Sequence, residues 1–215
     1  MPTPEKLRDT YRRQAEWFAG ERNRLLRRAR LGACIRVLDL GTGTGELLPT
    51  LDRRAEGYAV GVDRDVTVLR LAEGMRAAAE ACALPFADAS FDLVFTQMFF
   101  LWIARLPDTL AEIHRVLAPE GRLIAAAEPD YGGIIEYPPV ESGLKAYARA
   151  LAEEGADVET GRKLASALAN AGFNVECGSH PSRPLQSQPG APPESGSRLP
   201  EFSFIPYFHF LATKQ

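Results

Sequence analysis

The 215-residue chain has little cysteine. Its three residues, Cys34, Cys82 and Cys177, make an odd set with no C-x-x-C pair. That excludes a disulfide framework and the usual zinc spacings, so no metal is expected, and it suits a reducing cytoplasm. Long apolar runs are also missing. Val94 to Ala104 is interrupted by Thr96 and Gln97 and falls short of the ~20 residues that span a bilayer. The opening MPTPEKLRDTYRRQ lacks the apolar core of a secretory leader, so a cytoplasmic protein without a membrane span is expected. An overall basic excess is absent as well: 25 Lys and Arg stand against 28 Asp and Glu, a net charge of −3. A dedicated nucleic-acid binder is usually strongly basic, so no nucleic-acid partner is expected.

The charge is nevertheless uneven. Residues 1–36 hold ten Lys and Arg against four Asp and Glu. Such a run is ordinarily a solvated helix face; the sharper reading is a patch that attracts an anionic substrate or lipid headgroup. With 46% apolar residues, the chain can bury a core without staples.

Apolar residues at near-helical spacing (Leu7, Tyr11, Ala15, Phe18, Leu25, Leu26) predict one or two helices over 5–31. The period then changes. Short aliphatic runs at 35–40, 58–63, 75–80, 92–96 and 122–128 read as strands, and helices are expected at 45–54, 65–73 and 108–117. Strict alternation of the two implies right-handed βαβ units and a mostly parallel sheet. A Gly/Pro-rich loop at 130–139, helices at 141–154 and 160–171, and strands at 173–179 and 202–212 complete the expected order. Between the last two strands, residues 179–200 hold six prolines with several Ser, Gly and Gln, which reads as a flexible connection.

The informative stretch is Val37-Leu-Asp39-Leu-Gly41-Thr42-Gly43-Thr-Gly45-Glu46. Glycines after a strand and before a helix permit a tight turn and let a ligand approach the backbone. A dinucleotide loop takes the form GxGxxG, with a small third residue for helix packing. Here that place is Glu46, and Asp39 stands two residues ahead of the first glycine. A carboxylate there repels a pyrophosphate and suits a ligand carrying positive charge.

This segment resembles motif I of the class I S-adenosylmethionine-dependent methyltransferases, of the small-molecule type (domain 11/25-like). The likeness continues at Asp63, at Glu80 before Leu84-Pro85-Phe86, at Phe91-Asp92-Leu-Val-Phe-Thr96, and at Leu110-Ala-Glu-Ile-His-Arg-Val-Leu-Ala-Pro-Glu-Gly-Arg-Leu123. It departs at Glu120, which replaces a glycine common in the family's Pro-Gly-Gly turn, and at Glu80, where the family usually has Asp. The resemblance implies a Rossmann-like, doubly wound, seven-stranded α/β sheet, mostly parallel with one antiparallel strand. It implies a helical lid over 1–33 and a core over 34–215. S-adenosylmethionine would be the cofactor and S-adenosylhomocysteine its product.

Implied cofactor contacts are Asp39, Gly41, Thr42, Gly43 and Gly45, then Asp63, Arg64, Glu80, Ala81, Thr96 and Gln97. In the family, an acid at Asp63 holds the ribose hydroxyls and one at Glu80 meets the adenine. Gln14, Trp17, Arg24, Trp102 and Tyr131 are candidates for the substrate pocket. The partner would be a small-molecule methyl acceptor, lipid-like or quinone-like, and the protein a monomer or homodimer. No catalytic base is identified; Glu128, Asp130 and Tyr131 lie nearest by position. An RNA or protein methyltransferase and a non-catalytic nucleoside-binding module are the alternatives.

Overall fold

The computed structural model describes residues 3–137, 143–180 and 202–215. Seven strands form one sheet: β1 (Arg36–Leu40), β2 (Tyr58–Asp63), β3 (Met75–Ala78), β4 (Phe91–Thr96), β5 (Leu117–Pro129), β7 (Phe173–Ser179) and β9 (Tyr207–Lys214), in the order β3-β2-β1-β4-β5-β9-β7. β1 to β5 pair in parallel, and β9 runs antiparallel to both β5 and β7. The doubly wound sheet with one antiparallel strand is therefore the one expected. A second, two-stranded sheet joins β6 (Ile135–Tyr137) to β8 (Phe202–Phe204).

Alternation along the strands sorts side chains between two cores. Leu93 and Phe95 of β4 pack with Leu25 and Leu26 of α2 (Ala19–Arg28) and with Leu48 and Leu51 of α3 (Leu48–Arg54). Val94 between them faces Leu110 and Ile113 of α5 (Leu106–Val116) and Leu164 and Leu168 of α7 (Thr160–Asn170). A third cluster lies where β5 and β9 meet at the site end of the sheet. It joins Phe18, at the end of α1 (Pro4–Trp17), to Tyr131, Ile205, Tyr207 and Leu144 and Leu151 of α6 (Gly143–Glu153).

Several boundaries differ from those expected, each for a local reason. α3 begins at Leu48 rather than Gly45, because Gly45 is left-handed (φ 79°) and Pro49 occupies the first turn. Asp65 caps a single turn, α4 (Val66–Leu69), instead of a helix reaching residue 73. Ile205 and Pro206 split the expected strand 202–212, and its first part pairs with β6 out of the expected 130–139 loop. Glu120 takes the left-handed conformation (φ 59°) that the family's glycine adopts freely. From residue 181 to 200, the expected flexible connection lies outside the described residues.

β1 neighbours β2 on one side and β4 on the other. The chain thus reverses its winding at β1, and ligands of open α/β sheets bind beside the carboxyl ends of strands at such a reversal. Gly45 secures that edge: a Cβ there would sit 2.5 Å from Ala72 Cβ. Gly45→Ala is expected to lose about 2–4 kcal/mol, from left-handed strain and overpacking together. Urea denaturation checks this.

Candidate active site

The site grows from the end of β1. Asp39 is 4% exposed and accepts a hydrogen bond from Thr42 Oγ1 at 2.6 Å. Burial pushes its carboxyl up to about 7; the Thr42 bond and the charge of Arg22 pull the other way, and Asp63 adds to the rise. Gly41 and Thr42 both donate backbone N–H to the Val62 carbonyl, which pins the loop to β2. Gly41, Gly43 and Gly45 all have positive φ. A Cβ on Gly41 would collide with the Phe99 ring, and one on Gly43 would lie 3.0 Å from the Tyr11 ring.

Asp63, at the end of β2, accepts from Gly43 N at 2.8 Å and from Asp65 N at 2.9 Å. The two acids therefore flank one loop. Arg64 and Glu80 are exposed, and Glu80 lies beyond the end of β3. Ala81 is half-buried against the α5 core. Thr96 is fully buried, with its hydroxyl 3.4 Å from the Ile124 carbonyl. Gln97 follows β4 and bonds to the leading helices through both ends of its amide.

Those helices lie directly on the loop. Arg8 Nε donates to Glu46 at 3.1 Å. Gln14 offers its carbonyl to Gln97 Nε2 at 3.5 Å. Trp17 packs into the third cluster. Arg24 is turned elsewhere: it pairs with Glu21 and acts on His180 and His209, away from the glycines. In its place the structure brings in Arg22, which is 8% exposed. Arg22 shares with Leu25, Leu26 and Ala29 a stripe at spacings of three, four and seven. An arginine on an apolar stripe was the signal to follow. Tyr11 was hidden among the apolar positions of α1. It lies beside Asp63, and burial, followed by the charges of Asp63 and Asp65, raises its pKa.

Beyond β5, Tyr131 is buried within a hydrogen-bonded trio with Tyr147 and Tyr207, and burial raises its pKa well above the ordinary value. It is a poor proton acceptor at neutral pH. Trp102 is 38% exposed, on a short turn after β4. Glu128 is fully buried and accepts from Phe99 N (3.2 Å) and Phe100 N (3.0 Å), so its carboxylate shapes the loop after β4; burial pushes it up to about 7. Asp130 accepts from Arg162 Nε at 2.8 Å. Among the described residues, no group of three His, Cys, Asp or Glu is placed to hold a metal ion. No helix there is long and apolar enough to cross a membrane.

Residues 38–125 match the family described as a methyltransferase domain. The chain is 43% identical over 89 residues to malonyl-[acyl-carrier protein] O-methyltransferase 1 of Coxiella burnetii, covering 41% of this chain and 32% of that protein. It is 38% identical over 118 residues to demethylmenaquinone methyltransferase of Thermus thermophilus, covering 50% of each. The chain thus spans half or less of the length of these two relatives. In fold it is similar to phosphoethanolamine N-methyltransferase 2 of Haemonchus contortus, solved with S-adenosylhomocysteine. The TM-score is 0.65 at 16% identity, over 96% of this chain and 57% of that one.

Two buried carboxyls raised to about 7 set a pH dependence. The native state holds their protons where the unfolded chain has already released them, so stability falls as pH rises from about 4.5 through 7. Each group contributes a slope of up to about 1.4 kcal/mol per pH unit in that window. Asp39→Asn is expected to flatten this slope by one group's share and to match or exceed the parent's stability at pH 8. Urea midpoints at pH 6, 7 and 8 check it.

Proposed function

We infer that the chain belongs to the class I S-adenosylmethionine-dependent methyltransferases, from its matched domain and strand order. From that premise we propose that it moves a methyl group from S-adenosylmethionine to a small, largely apolar acceptor. The observation that carries this is the glycine-rich loop held between Asp39 and Asp63. The donor is a cationic nucleoside amino acid, and the residues present fit it. Three left-handed glycines turn the chain tightly between the two acids, a buried acid answers an ammonium group, and an acid at the neighbouring strand end answers ribose hydroxyls. Arg64, Glu80 and Ala81 lie on the β3 side for the base, and Thr96 and Gln97 on the β4 side for the methionine portion.

When bound, the donor supplies an activated methyl on a sulfonium. The protein's task is then alignment, which is worth ~7–11 kcal/mol of barrier in well-oriented systems. Residues 1–33 act as the cover that keeps water out, with Tyr11 and Arg8 touching the loop itself. Glu128 fixes the backbone of Phe99 and Phe100, and through them one wall of the crevice. The acceptor meets Trp17 and Tyr131 from the third cluster, with Gln14 and Trp102 nearby. An aromatic wall of this kind suits a flat or acyl-bearing acceptor. Relatives named for a quinone precursor and for a malonyl carrier support that class. The three free thiols suit work in a reducing cytoplasm.

Asp63→Ala is expected to weaken binding of S-adenosylhomocysteine by about 1.5–3 kcal/mol, the worth of a hydrogen bond to a charged group. Calorimetry measures it, and unchanged affinity would remove Asp63 from the ribose role. With radiolabelled donor, label should pass to a demethylated naphthoquinol or a malonyl thioester and not to bulk RNA. Label on RNA alone would overturn the small-molecule reading.

A further inference from the structure

α2 carries a buried arginine. Arg22 donates to the Ala15 carbonyl at 2.5 Å and to Gln97 Oε1 at 3.2 Å. Gln97 in turn donates from Nε2 to the Gln14 carbonyl. One guanidinium thereby ties the end of α1 to the first residue after β4. It also acts on Asp39. The groups acting on that carboxylate are Thr42 from the loop, Asp63 from β2 and Arg22 from α2, and Arg22 is the cation among them. Arg54 of α3 opposes Arg22 in turn, while its own guanidinium donates to Asn23 Oδ1 at 2.6 Å.

Taking a guanidinium out of water is costly unless charge and hydrogen bonds compensate it. Two carbonyl-type acceptors, on Ala15 and Gln97, do so here, and the charge of Asp39 acts from farther off. We propose that Arg22 is a positioning residue of the donor site: it clamps the leading helices to Gln97 and so holds the cover, and its own positive charge, at the Asp39 end of the crevice. The inference rests on the donor-site reading of the glycine loop. Its chemical consequence is specific. Asp39 attracts an ammonium only as an anion, and burial already favours its neutral form. Removing Arg22 raises the proton affinity of Asp39 further, so binding weakens through a protonation equilibrium as well as through a loosened cover.

The probe is S-adenosylhomocysteine, which carries the ammonium without the sulfonium and so isolates the Asp39 contact. Its affinity is measured by calorimetry from pH 5.5 to 8 for the parent, Arg22→Gln, Arg22→Lys and Asp39→Asn, with dissociation rates followed by stopped flow. Parent affinity should fall as pH drops through the Asp39 titration, and Asp39→Asn should abolish that fall. In Arg22→Gln the fall should begin at least about half a pH unit higher, an approximately threefold loss on the steep limb. Arg22→Lys should hold the parent's pH position but release the ligand faster, because an ammonium does not reproduce the guanidinium fork. Superposed pH curves for the parent and a folded Arg22→Gln would overturn the proposal. Should Arg22→Gln not fold, Arg22→Lys decides alone, and an unchanged dissociation rate overturns the clamp. A parent that binds no nucleoside at any pH would overturn the donor-site reading itself, and this inference with it.

Discussion

A carboxylate buried from solvent organises this protein. Asp39 ends the central strand of the sheet's parallel half, where burial disfavours its charge. Each surrounding feature answers that problem: the Thr42 hydroxyl, a loop of glycines drawn close, and a guanidinium brought from the leading helices. A water-filled crevice would solvate the acid and remove its preference for a cation. On the proposed reading, α1 and α2 would serve an electrostatic purpose as much as a steric one.

The site's second theme is backbone held by carboxylates. Asp63 takes the Gly43 N–H, Glu128 takes two consecutive N–H groups after β4, and Asp92 takes those of Ile35 and Arg36 at the far end of β1. Hydrogen bonds of this charge-assisted kind are stronger than neutral ones and fix loop geometry. Asp63 sits where a ribose contact is inferred, so a ligand would compete with Gly43 for it. Glu128 and Asp92 carry no such conflict and hold the frame.

Much of the fold was legible in residue order. Alternating aliphatic runs and amphipathic segments placed the parallel strands, because strands covered on both faces by helices are apolar throughout. Boundaries were harder wherever a backbone angle overrode a pattern. Gly45 read as the start of a helix, yet its φ of 79° delays the helix to Leu48. Pro206 breaks an aliphatic run that periodicity alone continues, and no local signal announces that its first half pairs with residues 135–137. In the candidate site, Asp39, the glycines and Asp63 stand out in the sequence because their pattern is local. Tyr11 and Arg22 were not, because their roles come from where a helix lands. Arg24 and Arg22 look alike in a basic run; only the stripe with Leu25 and Leu26 separates the buried one from the solvated one.

The placing of β9 carries a consequence for how the chain comes together. β9 pairs Thr213 with Arg122 and Asn174 with Thr213, so a late segment occupies an interior position between two strands made earlier. Among the described residues, β7 has no partner in the main sheet except β9. During synthesis β5 and β7 therefore stand with bare ladder edges until residues 207–214 leave the ribosome. Contacts spanning some ninety positions are slow to close. The nascent chain passes through a stage in which its most adhesive surfaces are unpaired, and that stage ends only when β9 slots between its neighbours.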